Sequence, residues 1–180
     1  MYCRNCKLIY GNKRAADNWG NPKGHILVLR DTPTSAECSS GNIKYSKANK
    51  ILISSLETYG FKNNYFVTNI LNCYPKINYT INEINACLPK FVDVFSLYDF
   101  KFVITAGLLP YQTLLNRFDI TNIHRIAGTI TQLDNIPVLH TYSYKHLAKD
   151  VKLYNSYVKT LSDLVDMYKI KIDINHKTLL

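Results

Sequence analysis

The chain has 180 residues, 47% of them hydrophobic, and 22 Lys and Arg against 13 Asp and Glu, for a formal net charge of +9. That size is most economically one domain with a single sizeable core, no run approaches the roughly 18 to 20 apolar residues of a membrane span, and the N-terminus lacks the apolar stretch of a signal peptide. A soluble protein of a bacterial cytoplasm or an infected host cell is therefore expected, and the basic balance favours a polyanionic partner such as nucleic acid.

The chain opens with a CxxC pair, Cys3 and Cys6. The first regular element expected is a buried strand, His25-Ile-Leu-Val-Leu-Arg30, an apolar run ended by the turn-prone Asp31-Thr-Pro33. A helix from about Ser46 to Tyr59 follows, closed by Gly60 where a C-terminal cap belongs. The second strand is Tyr65 to Leu71. Thr80-Ile-Asn-Glu83 has capping-box spacing and starts a helix to about Tyr98. Lys101 to Gly107 is a third strand, with a short helix from Pro110 to Asn116 behind it. Ile136-Pro-Val-Leu-His140 is a fourth strand, and Lys152 to Tyr168 a last helix whose Leu153, Tyr157, Leu161, Leu164 and Val165 share one face. Residues beyond Lys169 are expected to fray or to form a short extra strand.

Alternating strands and helices of these lengths predict a three-layer α/β/α sandwich, with a central, mainly parallel, four-stranded sheet and right-handed crossovers. Ligands of such sheets sit at the carboxyl ends of the strands. That rule selects the loops Arg30 to Glu37, Asn69 to Pro75, Gly107 onward and Thr141 to Lys149.

Five cysteines in an intracellular chain are poorly explained by disulfides, because reducing compartments keep thiols free, so metal ligation comes first. Cys73 lies just past the second strand and Cys87 inside the following helix. If the N-terminal pair folds back over that unit, four thiolates converge, and they suit either tetrahedral zinc or an iron–sulfur cluster. The alternative is that Cys73 and Cys87 are small buried apolar residues. Cys38, in a polar loop, is expected to be a free thiol.

Taken in order, the CxxC pair, Val67-Thr-Asn-Ile-Leu-Asn-Cys-Tyr-Pro75, Asn82-Glu-Ile-Asn-Ala-Cys87, Phe102-Val-Ile-Thr-Ala-Gly107 and Ile136-Pro-Val-Leu-His-Thr-Tyr142 resemble the family 4 uracil-DNA glycosylases. The family's consensus reads CxRC, YxTNxVKCRP, EIxAC, xIVTLG and xPVLPTYHPAYLLR in the same order. The resemblance runs from about Cys3 to Tyr168. It implies a [4Fe–4S] cluster on Cys3, Cys6, Cys73 and Cys87, with zinc as the fallback, and the fold of the uracil-DNA glycosylase superfamily.

An enzyme of that kind flips a nucleotide out of DNA and expels its pyrimidine. It needs a group to orient water, an aromatic to stack on the base, an amide to read the base edge and a donor for the departing base. The family's GEAPG stands here as Arg30-Asp31-Thr32-Pro33-Thr34, which keeps Pro33 and puts the Asp31 carboxylate where the family has glutamate, but loses both glycines. Asn69 holds the position of the base-reading asparagine, since an amide can pair bidentately with a uracil edge. Strict alignment places Lys44 where the stacking phenylalanine belongs, with Tyr45 adjacent as a candidate if the loop shifts by one.

The family's TYHPAYLLR is Thr141-Tyr-Ser-Tyr-Lys-His-Leu-Ala-Lys149. Ser143 therefore replaces the histidine that donates to the leaving base, and His140 and His146 flank the gap as possible substitutes. Lys44, Lys47, Lys145 and Lys149 are candidates for DNA-backbone contacts. Lys145 also offers an amine able to capture the sugar carbon after base loss, which is Schiff-base chemistry. Two readings follow. One is a DNA glycosylase acting on uracil or a modified pyrimidine. The other is an inactive glycosylase fold serving as a DNA-binding or protein-interaction subunit, for example in a viral replication or DNA-modification system.

Overall fold

A computed structural model describes residues 6–177, with the backbone alone for residues 45, 47, 48 and 167–177. Six strands form one sheet: β1 (Trp19–Gly20), β2 (Ile26–Arg30), β3 (Tyr65–Asn69), β4 (Phe102–Ala106), β5 (Ile130–Leu133) and β6 (Ile136–Thr141). Their spatial order is β1-β3-β2-β4-β6-β5. The inner four run parallel, and the two edges pair antiparallel. Every residue of β2, β3 and β4 is buried, as expected of parallel strands covered on both faces.

The sheet thus has six strands, not four. The four expected strands are the parallel ones, each within two residues of its predicted ends. The two edge strands carry no apolar run: β1 is two residues including a glycine, and β5 has no buried residue. A signal for β5 was present. Asp134 and Asn135 both take positive φ, 47° and 67°, in the two-residue turn joining β5 to β6, the turn geometry that suits the right-handed twist of a hairpin.

Among the described residues six α-helices cover the sheet: α1 (Ser35–Ser40), α2 (Lys47–Thr58), α3 (Ile81–Leu97), α4 (Leu108–Leu115), α5 (Tyr144–Leu147) and α6 (Val151–Lys177). Ile26, Val28, Val67 and Ile104 face one core with Leu52 and Leu56 of α2 and Leu161 and Leu164 of α6. Leu27, Leu29, Phe66 and Val103 face the other, with Ile84 and Phe91 of α3 and Leu109 of α4. These are the three predicted layers. The capping box at Thr80 and Glu83 is present, and Gly60 takes φ +86° after α2. The segment after Lys169 is helical through Lys177, in place of the frayed end or strand expected. Among the described residues no helix is long and apolar enough to cross a membrane.

Candidate active site

The carboxyl ends of the parallel strands bring the predicted loops together. Arg30 pairs in register with Asn69 on one side and with Ala106 on the other, so Asp31, Asn69 and Gly107 end three adjacent strands. The Leu71 N–H donates to the Asp31 carbonyl at 3.1 Å, tying the first two loops.

Asp31 is part-exposed as a residue, but its carboxylate Oδ1 is enclosed and has no hydrogen-bond partner. Burial pushes its pKa up to about 7, against the smaller opposing effects of Lys145, the Leu109 backbone N–H in the first turn of α4, and Arg30. A carboxyl poised there can hold or release a proton near neutrality, which suits a group that orients and deprotonates water.

Asn69 is 1% exposed, and both its Oδ1 and its Nδ2 lack hydrogen-bond partners. A buried amide left this way costs free energy, about 1 to 3 kcal/mol for each unsatisfied group, and a ligand that pairs with it would offset that cost. An amide with one acceptor and one donor face matches the edge of a pyrimidine.

A recess of about 260 Å³, counting its open mouth, is lined by Arg30, Asp31, Thr32, Ala106, Ser143, Tyr144 and Lys145. The Lys145 Nζ donates to the Thr32 Oγ1 at 3.2 Å. Burial holds the Lys145 ammonium below its usual pKa, and Arg30 adds to this, while Asp31 pulls the other way. Ser143 Oγ lies 2.7 Å from Nδ1 of His146, which is exposed. The replaced donor and one of its candidate substitutes therefore form a pair.

His140 is placed elsewhere. It is fully buried, with Nδ1 2.7 Å from the Thr105 hydroxyl, Nε2 2.8 Å from the Thr131 hydroxyl, and the ring edge-on to Tyr111. Burial lowers its pKa to about 4, so it is a neutral core side chain. Its alternation along β6 turns it to the face opposite Thr141, away from the recess. Pro33 is buried behind Asp31 and Thr32, and Lys44 and Lys149 are exposed. The side chains of Tyr45 and Lys47 lie outside the described residues.

Three features escaped the sequence reading. Arg30 is not an exposed substitute for glycine: its guanidinium is buried, with Nη2 at 2.9 Å from Glu37 Oε2 and Nη1 donating to Asn49 Oδ1 at 2.7 Å. The same Glu37 accepts from Ser46 Oγ at 2.6 Å and from the Thr34 N–H, so one carboxylate caps α1 and joins it to β2 and α2. The capping-box spacing Thr34-Ser-Ala-Glu37 was the available signal for α1. Cys38, expected in a loop, is buried in that helix, where its Sγ accepts the Tyr74 N–H at 3.2 Å. Tyr79, 37% exposed, stands near enough to Asp31 that the carboxylate's charge adds to burial in raising its phenol pKa. It brings a phenol within electrostatic reach of the carboxylate, and no spacing rule in the sequence marks it.

Cys3 lies outside the described residues. Cys73 and Cys87 are 4% and 3% exposed, and Cys6 is half-buried before a short 3-10 helix, Lys7–Gly11. That helix is fastened over the Cys73 loop: Asn12 Nδ2 donates to the Tyr74 carbonyl at 3.0 Å, and the Ala16 N–H to the Asn72 carbonyl at 2.7 Å. Leu8 packs against the core that contains Cys87. Among the described residues, no group of three or more His, Cys, Asp and Glu side chains is placed to hold a metal ion. The fit to a thiolate-held centre rests on the donor chemistry and on this fastening of the segment that follows Cys6.

No protein-family profile matches the sequence. The chain is similar to the type-4 uracil-DNA glycosylase of Pyrobaculum aerophilum, 27% identical over 116 residues that cover 63% of this chain and 59% of that protein. It is also similar to the type-4 uracil-DNA glycosylase of Sulfurisphaera tokodaii, 23% identical over 161 residues covering 86% of this chain and 68% of that protein. The first match thus spans about three fifths of its relative's length. Both matches support the resemblance seen in the motifs.

Proposed function

We propose that the chain, acting as a single domain, is a uracil-DNA-glycosylase-like enzyme that takes a flipped pyrimidine nucleotide from DNA and hydrolyses its N-glycosidic bond. The observation that carries this reading is the buried, unbonded amide of Asn69, one strand away from the enclosed carboxylate of Asp31. Asn69 reads the base edge. Asp31, ionised above about pH 7, orients a water toward the sugar carbon and accepts its proton. When the Nδ1–H tautomer of His146 donates to Ser143 Oγ, the serine hydroxyl is released to donate to the oxygen of the departing base. Lys44 and Lys149, with the basic surface, hold the phosphate backbone.

Cys3, Cys6, Cys73 and Cys87 would hold a [4Fe–4S] cluster, which when bound cross-links the N-terminal segment to β3 and α3. Iron and sulfide content of anaerobically purified protein tests that assignment, and zinc alone would replace it.

The second reading, an inactive DNA-binding or protein-interaction subunit, is favoured by one observation: a serine hydroxyl stands where a histidine would donate. Base release from single-stranded and duplex oligonucleotides carrying uracil or modified pyrimidines separates the two. Abasic product with the wild type, reduced at least about 10²-fold in Asn69→Ala with DNA affinity retained, supports the enzyme. No product from any base, with salt-dependent DNA binding intact, overturns it in favour of the second reading.

A further inference from the structure

Lys145 stands in the recess where the resembling motif has alanine, and the structure gives it an unusual setting for a lysine. Its amine lies on the Thr32 hydroxyl, it shares the recess with the carboxylate of Asp31, and it forms no ion pair among the described residues. The nearby carboxylate of Glu37 is committed to the Arg30 guanidinium and to Ser46, so it does not pair with the amine. A lysine meant only for phosphate contact gains nothing from partial burial beside a second cation, since a solvated ammonium serves as well.

We propose that Lys145 is a nucleophile toward the abasic sugar, giving the protein an imine-forming, strand-cleaving activity on abasic DNA. The proposal rests on the reading of the recess as a DNA nucleotide site. The neutral amine attacks C1′ of the ring-opened sugar aldehyde; a C–N bond forms, and the carbonyl electron pair takes a proton to become a hydroxyl. Loss of water leaves a protonated imine. Asp31 then accepts a proton from C2′, the C2′–C3′ double bond forms, and the C3′–O bond breaks with its electron pair leaving on the 3′ phosphate. Burial of the amine, which favours its neutral form, supports the first step.

The test uses the full chain with oligonucleotides carrying a preformed abasic site, so that base excision is not required. Borohydride delivers hydride to C1′ of the imine and fixes it as a secondary amine. The expected result is a covalent protein–DNA complex whose modified peptide carries Lys145, with trapping lowered at least about tenfold in Lys145→Arg and unchanged in Lys62→Arg, an exposed lysine far from the recess. No complex, a modified peptide carrying another lysine in the wild type, or undiminished trapping in Lys145→Arg overturns the proposal. The peptide assignment is made on the wild type, so it stands whether or not the variant folds. Trapping without base release from any pyrimidine would instead overturn the glycosylase reading and leave the lysine chemistry in place.

Discussion

Gly107 and Asp31 are packed so closely that a β-carbon on the glycine would lie 2.2 Å from Asp31 Oδ2. Gly107 also takes φ +119°, a conformation that side chains rarely adopt. The backbone at the end of β4 is therefore one wall of the carboxylate's enclosure, and only glycine can build it. Gly107→Ala should destabilise the fold by about 1 to 3 kcal/mol and lower base release by displacing Asp31. Thermal unfolding and single-turnover excision check this; an alanine variant matching the wild type in both would show that the wall is not needed.

Asp31→Asn should exchange activity for stability. The carboxyl binds its proton with a pKa of about 7 when folded, against 3.8 for the ordinary group. Between those values the folded state holds a proton that the unfolded state has lost, so the contribution of this one group turns unfavourable as pH rises from about 4 to about 7. The gain of the asparagine variant should open across that window and stay constant above it, bounded at about 4 kcal/mol. Urea unfolding as a function of pH reads the gap, while wild-type excision should rise as pH passes about 7.

His140 produces the opposite slope. Buried and neutral, with its pKa lowered from 6.5 to about 4, it favours the folded state above 6.5 and loses that advantage as pH falls toward 4. In the wild type the two groups offset each other between about pH 4 and 6.5. Asp31→Asn removes one of them, so the variant's stability should climb with pH through that range where the wild type stays nearly level. A variant curve parallel to the wild type would contradict the raised pKa of Asp31, and a variant curve that stays level through that range would contradict the burial of His140.

Ser143→Ala and His146→Ala should each slow excision by about 10²-fold, and the double variant should be no slower than the serine variant, because both changes remove one relay. DNA affinity should change little. Multiplying effects in the double variant would mean that the two residues act separately.

Glu37→Ala leaves the buried guanidinium of Arg30 without its counter-charge and removes the side-chain half of the α1 capping box, so a loss of about 3 to 5 kcal/mol is expected. Replacing Arg30 and Glu37 together by Met should recover much of it, as denaturant midpoints would show. Recovery identifies the pair as a means of joining α1 to the sheet rather than as part of the chemistry.

The parallel layer was readable because buried strands write themselves as unbroken apolar runs: Ile26 to Arg30 and Phe102 to Ala106 fall within a residue of expectation. Edge strands do not, since β1 and β5 keep residues in solvent and present only single apolar side chains, Trp19, Ile130 and Leu133, to the cores. At the site, the placement of Asp31 and Asn69 at the ends of adjacent strands was legible because position at a strand's end is a local property. The Ser143–His146 contact at three positions' spacing was within reach of the sequence, but choosing His146 over His140 required knowing that alternation turns His140 to the other face. The burial of Arg30 was not legible because its partner Glu37 lay in a helix that went unpredicted, and a buried charge cannot be told from an exposed one until its counter-ion is located.

The bond from Lys145 to Thr32 joins positions 113 apart in the chain. Parallel neighbours cannot zip locally, so the strand before Thr32 and the strand before Lys145 meet only after β4 has been laid between them. A chain emerging from a ribosome displays Asp31 and Asn69 early, on an incomplete sheet, and acquires the amine and the Ser143–His146 pair last. Long-range closure of this sort makes for slow folding. It also means that the site is completed in a late step, and a chain interrupted before that step displays Asp31 and Asn69 without Lys145, Ser143 or His146 beside them.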